Sequence, residues 1–146
     1  MRKVARRMKR AFNYIAACCL FLMACVSCSR PESDSLVEFC WDYACGNPDG
    51  FTLDIESLTT PENGIVVAYE ATLNLTGKSG MIKAIEHARS HSRLLGGWRD
   101  PDSGSYYFDS DTLFLESMLP EALEWGRRNR QKSVFILSTR QSVDID

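Results

Sequence analysis

Leu94-Leu95-Gly96-Gly97-Trp98-Arg99-Asp100-Pro101-Asp102-Ser103-Gly104-Ser105-Tyr106-Tyr107-Phe108 reads as two strands folded back on each other. Pro, Asp, Ser and Gly cluster at Asp100–Gly104, where the chain must reverse between two apolar runs of strand length. Alternation along the second run sends one of Tyr106 and Tyr107 into a core and the other to the opposite face. Core packing accounts for Trp98, Tyr106, Tyr107 and Phe108. The second reading is an exposed aromatic patch that Gly96 and Gly97 allow a partner to approach closely.

Regular structure extends on both sides of this hairpin. Upstream, a helix starts at Ser79 or Gly80 and turns Met81, Ile82, Ile85 and Ala88 inward. Before it, Phe51-Thr52-Leu53-Asp54-Ile55 and Ile65-Val66-Val67-Ala68-Tyr69 read as strands, with Asn63-Gly64 as a hairpin signal between them. Ser33 or Asp34 can cap a first helix, with Leu36, Cys40 and Tyr43 on one stripe, and Gly46 with Asn47-Pro48-Asp49-Gly50 ends it. Downstream, Pro120 suits the first turn of a helix over 121–129, and Val134-Phe135-Ile136-Leu137 reads as a strand inside the sheet. The order α-β-β-α-β-β-α-β predicts an α+β domain over residues 35–146: a small antiparallel sheet with about three helices on one face. Some 110 residues can bury roughly 65% of their unfolded surface, enough for one core.

The first 34 residues follow different rules. Arg2, Lys3, Arg6, Arg7, Lys9 and Arg10 precede an apolar run from Ala11 to Ala24, and no acid occurs before Glu32. Fourteen helical residues rise about 21 Å, short of the roughly 30 Å hydrocarbon core, so the run does not make a stable membrane span. A basic segment, a short apolar segment and a small residue before the break are the parts of a secretory signal, here residues 1–24. Beyond them, the remaining basic side chains are outnumbered by the 19 acids of the chain. An acidic body with scattered arginines does not fit the backbone of a nucleic acid.

Leu22-Met23-Ala24-Cys25 resembles the lipobox of bacterial lipoprotein signal peptides, with Met23 in place of the usual small residue. Cys25-Val26-Ser27-Cys28 is the alternative match. The resemblance implies lipid attachment at Cys25, or at Cys28, a short tether over residues 25–34, and a protein held at a cell membrane or outer membrane. Two or three acyl chains give durable anchoring, at about 0.8 kcal/mol per buried methylene. The body, through Asn47-Pro48-Asp49-Gly50-Phe51-Thr52-Leu53-Asp54, Gly64-Ile65-Val66-Val67-Ala68-Tyr69, Gly96-Gly97-Trp98, Tyr106-Tyr107-Phe108-Asp109-Ser110 and Ser133-Val134-Phe135-Ile136-Leu137, resembles an uncharacterised small-domain family of bacterial mobile and accessory genomes. That family carries no assigned activity. Its resemblance also allows a cytoplasmic accessory protein with a misassigned start.

Chemistry-bearing residues are few. His87 and His91 lie four apart on one helix face and could supply two nitrogens to a metal in a small enzyme, with a third ligand from Asp109, Asp111 or Glu116. The zincin spacing is absent, because Ala88 stands where its glutamate would be, and a polar helix edge explains the pair. Thr76-Gly77-Lys78-Ser79 ends like a phosphate loop but lacks the upstream glycine, so it reads as a loop leading into a helix. Asp100 and Asp102 fit turn chemistry better than a calcium loop. Asp109 and Asp111 beside Tyr107 are a paired-carboxylate candidate or two solvated strand ends. Cys40 and Cys45 would be about 7.5 Å apart along a continuous helix, beyond disulfide reach unless the last turn unwinds near Gly46, so we expect buried thiols. The expectation is a lipid-anchored binding or accessory module without a cofactor, with the metal-dependent enzyme as the alternative.

Overall fold

In the computed structural model of the chain, residues 31–145 are described; Cys25, Cys28 and the rest of the signal-like segment lie outside them. Contacts divide the chain into Met1–Ser35 and Leu36–Asp146, and the architecture below is that of the second unit. Its elements are α1 (Pro31–Gly46, which begins before the unit), β1 (Phe51–Asp54), β2 (Ile65–Ala68), β3 (Leu75–Thr76), α2 (Gly77–Arg89), β4 (Leu94–Arg99), β5 (Tyr106–Phe114), α3 (Leu119–Arg128), β6 (Ser133–Ile136) and β7 (Gln141–Asp144). The α+β class, the single antiparallel sheet and the three helices agree with the reading of the sequence.

The hairpin of β4 and β5 forms as its residues dictate, in the register Leu94↔Asp111 through Arg99↔Tyr106. Asp100 organises the turn: its carboxylate accepts the Asp102 N–H at 3.0 Å and the Ser103 hydroxyl at 2.7 Å. Gly104 takes the left-handed conformation (φ +70°) that favours glycine. These bonds hold the Asp100 carboxyl below its ordinary range, so the calcium-like spacing is turn chemistry.

β5 is long enough to be shared. One edge pairs with β4 over Tyr106–Asp111, and the other with β3 at Tyr107–Phe108 and with β2 over Asp111–Phe114. The sheet order is β1-β4-β5-β2-β6-β7, with β3 also on β5. This corrects one expectation: β1 and β2 do not form a hairpin. After β1 the chain closes its own turn, with the Asp54 N–H bonded to the Thr59 carbonyl, and β1 pairs instead with Leu94–Gly97. The Asn63-Gly64 signal serves another purpose. Gly64 (φ +116°) presses against Leu113 and the Phe114 carbonyl, 2.8 Å from where a Cβ would stand, and so admits β2 to the edge of β5.

Two strands were not expected. β3 is two residues long, and β7 is a mostly exposed, polar edge strand joined to β6 by a turn in which Arg140 is left-handed (φ +55°). β6 lies inside the sheet between β2 and β7.

All three helices cover one face. Phe108 and Phe114 point to the same side of β5, because they are an even number of residues apart. Phe108 packs with Leu53, Leu95 and the α1 and α2 residues Cys40, Ala44, Met81, Ala84, Ile85 and Ala88. Phe114 packs with Ile65, Val67 and Val134 beneath Ala122 of α3. Within the hairpin, Tyr106 joins the first cluster and Tyr107 faces the other way. Gly97 has no side chain because the rings of Phe51 and Phe108 occupy the space, at 2.8 and 3.0 Å from a notional Cβ.

Phe108 is fully buried at the centre of the larger cluster. Phe108→Ala is expected to destabilise the domain by about 3–5 kcal/mol in urea unfolding, with the far-UV dichroism of the remaining native state unchanged.

Candidate functional site

The face of the sheet away from the helices carries an unusual set of side chains. On β5 the alternation that sends Phe108, Ser110, Thr112 and Phe114 toward the helices sends Tyr107, Asp109, Asp111 and Leu113 to the other side. Register adds Trp98 opposite Tyr107, Gly96 opposite Asp109, and Leu94 and Ala68 opposite Asp111. Val66 and Phe135 complete the row that contains Leu113.

Trp98 stacks on Tyr107 with ring centroids 5.2 Å apart and an interplanar angle of 16°, yet 44% of its surface remains exposed. The pair is packed against itself rather than against a core. The two-sided reading of the hairpin aromatics is thereby resolved residue by residue: Tyr106 and Phe108 are core, and Trp98 and Tyr107 belong to the helix-free face.

Asp109 and Asp111 are not solvated strand ends. They sit in mid-strand, and Asp111 is only 4% exposed. Its carboxylate leans across bare Gly96: a Cβ there would collide with the Asp111 oxygen, and the carboxyl carbon lies 3.0 Å from that position. Gly96 therefore gives Asp111 its place. Burial raises the Asp109 carboxyl to about 6. Asp111 rises well above the ordinary range through burial, with the neighbouring charge of Asp109 adding to it. Among the described residues neither carboxylate has a hydrogen bond or ion pair. The strand positions of this face also include Asp54 and Asp144, and no Lys or Arg. Asp54 is already engaged, accepting the N–H groups of Glu56 and Ser57 at 2.8 and 3.0 Å.

The histidine pair lies on the helix-covered side. His87 and His91 stack at the end of α2, 3.8 Å between centroids and 6° from parallel. Tyr69 lies against both rings at 5.0 and 4.9 Å, and against Trp125 of α3 at 5.8 Å. His91 Nδ1 donates to the His87 carbonyl at 2.7 Å, which leaves Nε2 as the unprotonated nitrogen of the neutral ring. Burial and the neighbouring His91 lower the pKa of His87. The acids weighed as a third metal ligand are elsewhere. Asp109 and Asp111 are across the sheet, and Glu116 accepts the Gly64 N–H at 3.3 Å. Among the described residues no three His, Cys, Asp or Glu side chains converge to hold a metal ion.

The remaining candidates have structural partners. Lys78 pairs with Glu38 at 2.6 Å, joining α2 to α1. Cys40 and Cys45 are both free thiols. Cys40 is buried in the larger cluster, where desolvation pushes its pKa up to about 11, whereas Cys45, expected to be buried too, is exposed at the end of α1. A thiol held that high is a poor nucleophile at neutral pH.

No family model, no curated protein and no solved structure matches the chain.

Sequence reasoning named the carboxylate pair but missed the bare glycine that accommodates it. The available signal was the strict alternation of Tyr107, Asp109, Asp111 and Leu113 against Phe108, Ser110, Thr112 and Phe114. Read over all nine residues, it separates the faces.

A carboxyl whose folded pKa is raised costs stability as pH climbs from its unfolded value, near 4, through its folded value. Asp109→Asn removes that cost. The variant is expected to be more stable than the parent at pH 7 by up to about 3 kcal/mol and indistinguishable from it at pH 3.5, as read from urea unfolding at both pH values.

Proposed function

We propose that the chain is a lipid-anchored protein of a bacterial cell envelope, acting as a binding module through the helix-free face of its sheet. The anchor reading rests on the basic and apolar halves of residues 1–24 and on the lipobox-like Leu22-Met23-Ala24-Cys25, with Cys28 as the alternative site. Residues 25–34 are the tether of this reading, its last four residues already within α1. The partner on the membrane side is the bilayer itself, through the acyl chains.

The binding reading is carried by one observation: Trp98 and Tyr107 stack on each other on the face away from the three helices, with Trp98 exposed, instead of joining either apolar cluster. Exposed Leu113 and Phe135 extend the apolar surface along the same face. Large exposed apolar side chains gathered on one face are the common mark of an interaction surface. The chemistry of the body supports binding over catalysis, because its histidines stack on each other and its buried thiol is held protonated.

Mass spectrometry of the N-terminus of protein from a bacterial host tests the anchor. The expected species begins at an acylated Cys25 and disappears in Cys25→Ala; a shift to Cys28 would move the site without changing the reading. A soluble, unmodified N-terminus would overturn it in favour of the cytoplasmic alternative. The face is tested separately by placing a photoreactive amino acid at position 98 in intact cells. A discrete crosslinked adduct is expected there and not at exposed Glu121 of α3.

A further inference from the structure

Among the described residues, Asp109 and Asp111 of the helix-free face lack a counter-ion. Asp111 is more than nine-tenths buried, has no hydrogen-bond partner among the described residues, and inclines over Gly96 into the row that Asp109 occupies. Tyr107 precedes Asp109 on the same face, one side-chain repeat of about 7 Å away, and Trp98 is stacked on it. A cation placed between them would meet an aromatic face on one side and carboxylate oxygens on the other.

Geometry selects the kind of cation. A guanidinium is planar, stacks on aromatic rings, and donates paired N–H bonds to a carboxylate; an ammonium is a compact, strongly hydrated point charge that does neither as well. The extent of the surface selects its carrier. Tyr107 to Leu113 spans about 20 Å, the length of some seven extended residues, and beyond the acids the face is apolar in Val66, Leu113 and Phe135. A free amine or guanidine would leave that apolar part uncovered.

We propose that this face binds an arginine side chain presented by an extended, otherwise apolar segment of a partner protein, with the guanidinium held between Trp98–Tyr107 and Asp109–Asp111. The proposal rests on the reading of the face as the binding surface. Among the described residues the strand charges on this face are Asp109 and Asp111 on β5, Asp54 on β1, already bonded to Glu56 and Ser57 and acted on by the charge of Arg93, and Asp144 on β7, with none on β2, β3 or β4. Asp109 ionises near pH 6, so docking strengthens as pH rises from 5 to 7.

Calorimetric titration of the full-length chain in mild detergent tests this with two acetylated seven-residue peptide amides. Both alternate leucine with alanine, and one carries arginine where its counterpart carries citrulline, which is isosteric and uncharged. The arginine peptide is expected to bind at least tenfold more tightly than the citrulline peptide, and more tightly at pH 7 than at pH 5. Trp98→Ala and Asp109→Asn should each weaken it about tenfold while leaving the circular dichroism spectrum unchanged. Equal affinity of the two peptides, or undiminished binding to both variants, overturns the proposal. Absence of binding by either peptide also overturns it; a position-98 adduct obtained in cells would then leave the surface standing without arginine as its ligand, and no adduct would remove both.

Discussion

The double pairing of β5 is the constraint on which the rest of the structure depends. Nine consecutive residues bond to β4 on one edge and to β3 and β2 on the other, so two sets of strands become one sheet. Because side chains alternate strictly, Phe108 and Phe114 must point the same way, and the clusters under α1–α2 and under α3 must share a face. Between those phenylalanines the strand offers Ser110 and Thr112. The backbone there is closed by polar bonds: the Ser110 N–H donates to Thr72 Oγ1 at 2.9 Å, and the Tyr69 N–H donates to the Ser110 carbonyl at 2.9 Å. The seam between the two apolar clusters is thus stitched by hydrogen bonds as well as by the packing of Tyr69 between His87 and Trp125.

The same alternation determines the opposite face. Every residue committed to the helices leaves its neighbour facing away from them, and on β5 those neighbours are Tyr107, Asp109, Asp111 and Leu113. An unpaired carboxylate only 4% exposed works against folding, since burial penalises its charged form. A fold that can seat Asp111 only by keeping Gly96 without a side chain carries a local conflict between stability and side-chain choice. Such conflicts concentrate where a surface serves something other than folding. The histidine pair carries a conflict of its own: among the described residues, His87 Nδ1 and the neighbouring Trp125 Nε1 are buried without a hydrogen-bond partner. Its rings are stacked, one nitrogen is satisfied by the His87 carbonyl, and Tyr69 and Trp125 pack around it as part of the junction of α2 and α3.

Legibility followed the range of the interactions involved. The β4–β5 hairpin could be read because its turn residues and both strands are contiguous, and Asp100 builds the turn from its own neighbours. The three helices could be read from their apolar spacing. The Gln141–Asp144 strand could not, because a polar edge strand with one half-buried valine has no hydrophobic signature; it forms by pairing with Ser133–Ile136. Asn63-Gly64 was misread for a related reason. A left-handed glycine marks a special backbone position, but the choice between a hairpin and close approach to another strand depends on residues some fifty positions away, Leu113 and Phe114.

By itself the sequence determined most of the inventory: the three helices, five of the seven strands, that the sheet is antiparallel with its helices on one face, and that residues 1–24 differ in kind from the acidic body. These follow from local periodicity, turn chemistry and composition, all of which act over a few residues. Tertiary structure alone decided the order β1-β4-β5-β2-β6-β7, the separation of Trp98 and Tyr107 from the core, and the burial of Asp111 over Gly96. A strand edge has no memory of sequence distance. Its partner is chosen by which pairing lets both apolar clusters close at once, and only that choice assigns each remaining side chain to a face.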